Sequence, residues 1–221
     1  MILEALEQGV VEDLFVLPDA GAIASAAESV SVPAVLVSIP VMRLLSDTVT
    51  PQGAVAVARS PVLRAAALSS WDLVLVLDAV RDPGNAGTLL RTAVAAGASG
   101  VVFTPGSVEP GAPKTVRSSA GALFRVPVAT GDDLEEVAAL ARKAGATLVG
   151  TAATAARSLY DVDLRGPLVL VVGNEARGLP PERRRLLDVV ASIPMPGPQE
   201  SLNVAVAGAV ALFEAVRQRL R

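Results

Sequence analysis

Two five-residue stretches, Leu73-Val74-Leu75-Val76-Leu77 and Leu168-Val169-Leu170-Val171-Val172, carry no polar side chain. A strand with one wet face alternates apolar and polar residues, so an unbroken apolar run means burial on both faces. Helices crossing over from strand to strand can cover both faces, and these runs therefore predict central strands of a parallel α/β sheet. Both runs end abruptly in turn-forming residues: Asp78 and then Arg81-Asp82-Pro83-Gly84-Asn85-Ala86-Gly87, and Gly173-Asn174-Glu175-Ala176-Arg177-Gly178-Leu179. Ligands of open parallel sheets bind outside the carboxyl ends of the strands, where these two turns stand.

A third loop completes the set. Ser192 to Asn203 holds three prolines and a glycine, which fix an irregular backbone. Behind it Leu202, Val206, Val210, Phe213 and Leu220 recur at three- and four-residue steps, predicting a helix with that stripe packed on a core. Between these landmarks the pattern predicts helices over 88–97, 113–121, 132–144 and 181–188. It predicts strands over 101–104, 125–128, 147–150 and 189–193. Residues 1–58 alternate short strands (14–17, 34–37, 54–58) with short helices (1–7, 22–29, 41–45), a small α/β module. Residues 59–70 lack periodicity and read as a linker, leaving 71–221 as the second domain. Met1-Ile2-Leu3 reads as the middle of a helix without an N-cap, so the first domain is expected to be truncated at its start.

The chain has no cysteine and no histidine. Disulfides, Cys/His zinc sites, Ser-His triads and a histidine base are all excluded, and no metal is expected. Residues 1–70 hold seven acidic and three basic side chains, whereas 71–221 hold fifteen and sixteen. No basic surplus exists to grip a polyanion generally, so nucleic-acid binding would have to rest on local sites. No long unbroken apolar run or basic leader is present, giving the expectation of a cytoplasmic protein without a membrane span.

Asn85, Thr88 and Arg91 are spaced three apart, on one face at the start of a helix. An amide and a guanidinium there suit a phosphate or a ribose edge, though a capping asparagine on an exposed face has the same appearance. Glu175 is open to three readings: a base, a partner that orients Arg91, or a cap for the next helix. No Gly-x-Gly-x-x-Gly follows any strand, which removes the usual dinucleotide turn.

Three groups of residues carry a resemblance. They are Asp82-Pro83-Gly84-Asn85-Ala86-Gly87-Thr88 with Arg91, Val172-Gly173-Asn174-Glu175 with Gly178-Leu179, and Ile193-Pro194-Met195 with Ser201-Leu202-Asn203-Val204. In order and spacing they resemble the three motifs of the SpoU–TrmH family, RNA ribose 2′-O-methyltransferases of the SPOUT superfamily that use S-adenosylmethionine. The resemblance implies a SPOUT-type parallel sheet with a trefoil knot, and a small α/β RNA-recognition domain in front of it. That front domain would possess a further strand and basic residues ahead of Met1. The donor would be held by Gly173, Ile193 and Leu202, with Thr104, Gly106, Asn174, Met195 and Ser201 around it. Asn85, Arg91, Glu175, Ser201 and Asn203 match the family's catalytic positions. A homodimer completing the cleft across its interface, and an RNA substrate, ribosomal (23S) rather than transfer RNA, are further implications. A tRNA ribose 2′-O-methyltransferase and a catalytically silent RNA-binding relative are the alternatives.

Overall fold

The computed structural model describes residues 1–220 except Asp47 and Val49. The chain divides into two compact units, Met1–Pro61 and Val62–Arg221.

The first unit contains helix α1 (Ile2–Glu7), strand β1 (Val11–Val16), α2 (Gly21–Ser29), β2 (Ala34–Leu36), α3 (Ile39–Leu45) and β3 (Ala54–Ala58). β1 is central, parallel to β2 and antiparallel to β3. Leu14, Val16, Ala27 and Met42 are its most buried apolar side chains.

The second unit runs β4 (Val62–Leu63), β5 (Leu73–Leu77), α4 (Pro83–Ala95), β6 (Gly100–Phe103), α5 (Pro113–Ser118), β7 (Val128–Thr130), α6 (Leu134–Lys143), β8 (Thr147–Thr151), β9 (Arg157–Ser158), β10 (Leu168–Val172), α7 (Pro181–Arg184), β11 (Val189–Ser192) and α8 (Val204–Arg219). Its eight strands form one parallel sheet in the order β4-β7-β6-β5-β10-β8-β11-β9. β5 and β10 pair at the centre, as their unbroken apolar runs predict. Leu73, Leu75, Leu77, Leu168, Leu170 and Val172 face one core with Leu89, Leu90 and Leu212. Val74, Val76, Val169 and Val171 face the other, with Leu134, Val137 and Ala141 of α6. The chain leaves β5 toward β6 on one side and leaves β10 toward β11 on the other, so a topological switch point lies between them.

Several elements differ from the sequence expectation. α4 begins at Pro83 rather than Thr88, because the Asp82 carboxylate accepts the Asn85 N–H (2.8 Å) and Pro83 presets the first turn. α7 is a single turn, and the short edge strands β4 and β9 had no sequence signal. Within the stretch read as a linker, Val62–Leu63 pairs with β7, and Ala65 is buried with its N–H on Asp132 (2.7 Å).

The largest difference concerns α8. Its expected core stripe faces outward: Leu202, Val206, Phe213 and Leu220 are 38, 49, 49 and 83% exposed, and Val210 is half-buried. The packed side is Ala205, Gly208, Ala211, Leu212 and Ala215. A Cβ on Gly208 would meet Leu89 Cδ2 at 2.4 Å, so the small residues are what let α8 lie close on α4 and β10. Periodicity located an apolar stripe, but close helix approach selects small residues for the inner face.

Candidate active site

Loops leaving β8, β10 and β11 enclose a cleft of about 280 Å³. Gly173, Asn174, Glu175, Ile193, Met195, Ser201 and Leu202 line it, as six of the eight expected donor-site residues and Glu175. Thr104 and Gly106 do not. Thr104 is buried, donating from its hydroxyl to Asp78 Oδ1 (2.8 Å), and Gly106 turns the neighbouring loop at φ 89°. Thr104 therefore supports the β5 end from behind. The sequence reading missed Thr151, at the end of β8, Ala152, Ala153 and Thr154, which follow it, and the arginines Arg177 and Arg184. A fourth loop at a parallel strand's carboxyl end was the available signal for the first four.

Gly173 lines the cleft and also has a structural task. An added Cβ would lie 2.4 Å from the Gly178 carbonyl carbon. The glycine is needed so that the 174–178 turn can fold back on its own strand, closed by the Asn174–Gly178 bridge. Inside that turn Asn174 Oδ1 accepts the N–H groups of Ala176 and Arg177 (3.0 and 3.2 Å), while its Nδ2 donates to the Ala79 carbonyl (2.9 Å). Ala79 sits at φ 58°, a conformation L-residues adopt at a cost of about 1–2 kcal/mol. Beyond this kink the N–H groups of Arg81 and Asp82 point at Glu175.

Glu175 gathers the β5 and β10 loops. Its Oε1 accepts from the Asp82 N–H (2.9 Å) and Asn85 Nδ2 (3.2 Å), and its Oε2 from the Arg81 N–H (3.2 Å) and Asn174 Nδ2 (3.3 Å). Burial works against the charge, but these N–H donors outweigh it and hold the carboxyl below its usual range. Asn85 Oδ1 accepts in turn from Asn203 Nδ2 (3.0 Å), whose Oδ1 caps α8 through Ala205 and Val206. One chain of hydrogen bonds thus joins all three loops through Glu175, Asn85 and Asn203. Arg91 stands apart, exposed on α4 and without a hydrogen bond or ion pair among the described residues. Six residues along a helix, it is about 9 Å from Asn85 in axial rise. Ser201 lines the cleft and is exposed.

Behind the site, burial pushes the Asp78 carboxyl up, opposed by the Thr104 hydroxyl and Arg183. Arg183 Nε stands 3.7 Å from Asp78 Oδ2 and its guanidinium also bonds Asp133 at the start of α6. No cluster of three or more carboxylates arranged for a metal occurs among the described residues.

The profile of the SpoU rRNA Methylase family matches residues 72–213. A 23S rRNA (guanosine-2′-O-)-methyltransferase, RlmB, of Xanthomonas axonopodis pv. citri is 50% identical over 149 residues, 67% of this chain and 59% of the relative. The chain thus spans about three fifths of the length of that relative. Among solved structures, the AdoMet-bound rRNA methyltransferase from Sinorhizobium meliloti superposes with a TM-score of 0.87 at 32% identity, covering 100% of this chain and 85% of that one. The SpoU methyltransferase AviRb from Streptomyces viridochromogenes gives 0.89 at 32% identity, over 99% and 86%.

Proposed function

The chain belongs to the SpoU rRNA methylase family, and we propose that it methylates the 2′-hydroxyl of a guanosine ribose in 23S rRNA, using S-adenosylmethionine. The observation that carries this reading is the Glu175–Asn85–Asn203 chain at the lip of the cleft, which fixes three loops around one point. The cleft suits the donor. Ile193, Leu202, Val204 and Ala207 offer apolar wall for an adenine, and Thr151, Thr154, Asn174 and Ser201 offer hydroxyls and amides for a ribose and an amino-acid tail. Bound there, the donor supplies a methyl carbon already activated by its sulfonium.

What remains for the protein is positioning, which can contribute about 7–11 kcal/mol. Glu175, with four N–H donors on its two oxygens, holds the loops in register and stays ionised. Asn85 and Asn203 present the remaining hydrogen-bonding capacity of the lip to the ribose. Arg91, without an ion pair among the described residues, holds a phosphate of the RNA and steadies negative charge developing on the ribose oxygen.

Three further parts belong to the same reading. The trefoil is supported by the chain path: β11 lies beyond β8, yet α8 returns to pack on α4 and β10. A homodimer is supported by the outward apolar side of α8 and would bring the partner's surface to the open cleft. The Met1–Pro61 unit serves RNA recognition, and no helix among the described residues is long and apolar enough to cross a membrane.

The test is transfer of label from S-adenosylmethionine to 23S rRNA transcripts, with nuclease mapping and mass analysis. The expected product is a single alkali-resistant 2′-O-methylguanosine linkage. Label on a base, or none on RNA by a protein that binds the donor, would sink the reading.

A further inference from the structure

The 174–178 turn has a second cavity on its other side. It measures about 160 Å³ and is lined by Asp78, Ala79, Arg81, Arg177, Pro180 and Arg183, together with Asn174 and Gly178. Asn174, Arg177 and Gly178 border both spaces, so a single turn separates this cavity from the larger cleft.

Its charges do not balance. Arg183 is engaged with Asp78 and Asp133. The guanidinium groups of Arg81 and Arg177 have no carboxylate and no other side-chain partner among the described residues. Their backbone N–H groups are occupied, by Glu175 and by Asn174 respectively, so both side chains are fixed at their roots beside the cavity mouth. Two unpaired guanidiniums over one cavity, in a chain of net charge −3, form a local anion site of the kind a nearly neutral RNA enzyme requires.

We propose that this cavity is a phosphate subsite, in which Arg81 and Arg177 hold a backbone phosphate of the RNA next to the nucleotide whose ribose lies at the cleft. The proposal rests on the RNA-methylating reading above. The phosphate sits on the β5–α7 side of the turn, so the RNA strand passes over the turn and lowers one ribose toward Glu175 and Asn85. Arg91, on α4, lies outside this cavity and is not part of it.

The experiment measures affinity of the full chain for 23S rRNA transcripts against KCl concentration, alongside S-adenosylmethionine affinity. Arg81→Gln is compared with Arg165→Gln, which removes an exposed arginine paired with Asp163 far along the chain. Arg81→Gln should weaken RNA binding about five- to tenfold and lower the salt slope by about one released counterion, leaving donor affinity unchanged. The double change Arg81→Gln/Arg177→Gln should lower the slope by about two. Arg165→Gln should match wild type. Wild-type RNA affinity and slope in Arg81→Gln would overturn the proposal. So would an Arg81-dependent site that fills with guanosine 5′-monophosphate while RNA binding keeps its wild-type slope, since that marks a free-nucleotide site. Failure of the underlying reading is distinct: the wild-type chain would then bind the donor and transfer no methyl to RNA at all.

Discussion

Glu175 accepts four N–H donors on its two oxygens, which leaves little of it free to take a proton. Its lowered pKa has a definite sign: the folded chain prefers the carboxylate. Its contribution to stability is present above the unfolded carboxyl pKa and is lost as pH falls through the folded value. Because the shift is downward, the carboxylate form prevails at neutral and alkaline pH, so the pH profile of single-turnover transfer should contain no limb belonging to it there. Glu175→Gln should reduce transfer tenfold or more, about 1.4 kcal/mol, with the wild-type pH shape retained. A wild-type limb near neutral pH that disappears in the glutamine variant would make Glu175 the base after all. For Arg91, exposed and with no side-chain hydrogen bond or ion pair among the described residues, Arg91→Ala should keep donor affinity, read by calorimetry, and reduce transfer at least tenfold. Arg91→Lys should rescue poorly, since the planar fork is lost. Asn85 and Glu175 were legible from their loops and Asn203 only through the resemblance to the SpoU–TrmH motifs, and the structure brings the three into one chain of bonds. That Gly173 serves its own turn, and that Thr104 turns inward to Asp78, depends on contacts that spacing does not encode.

α8 shows how far an element can be read from its sequence. The apolar stripe was visible, but its destination was not, because periodicity does not say which of two apolar sides meets the core. Alanine and glycine permit close approach to α4, and the bulkier Val206, Phe213 and Leu220 are left outside. The two sides should answer differently to substitution. Gly208→Val drives a side chain into Leu89 and Val172, and should lower stability by about 1–3 kcal/mol in urea unfolding. Phe213→Glu removes no core contact and should leave monomer stability within about 0.5 kcal/mol, as for most surface changes. On the dimer reading, it should shift sedimentation from dimer to monomer. A dimer that persists in Phe213→Glu would move the interface off this helix. The central strands β5 and β10 were the most legible elements, since burial on both faces leaves only one composition possible. The edge strands β4 and β9, two residues each, held no pattern to read.

At the scale of the whole molecule, the question is where the methyltransferase unit begins. The sequence loses periodicity over 59–70, and a boundary at Trp71 follows from that. Yet compactness divides the chain between Pro61 and Val62, and the contacts give a reason. Val62–Leu63 adds a strand beside β7, and Ala65 and Leu68 enter the core under α6. Arg64 and the Ala65 N–H converge on the nearly buried Asp132, with Arg64 Nη2 at 2.9 Å from its carboxylate. Burying one leucine-sized side chain stabilises by about 1.5–3 kcal/mol. Leaving Asp132 buried without its donors costs about 1–3 kcal/mol more. A fragment starting at Trp71 forfeits both, a large share of the 5–15 kcal/mol typical of a folded domain. The fragment 62–221 should therefore unfold cooperatively and bind S-adenosylmethionine with the affinity of the full chain. The fragment 71–221 should unfold at a markedly lower urea midpoint and bind the donor only where it remains folded. Urea unfolding followed by fluorescence, with calorimetry on both fragments, makes the comparison. Equal midpoints would show that residues 62–70 are a tether, and that the sheet is complete without β4.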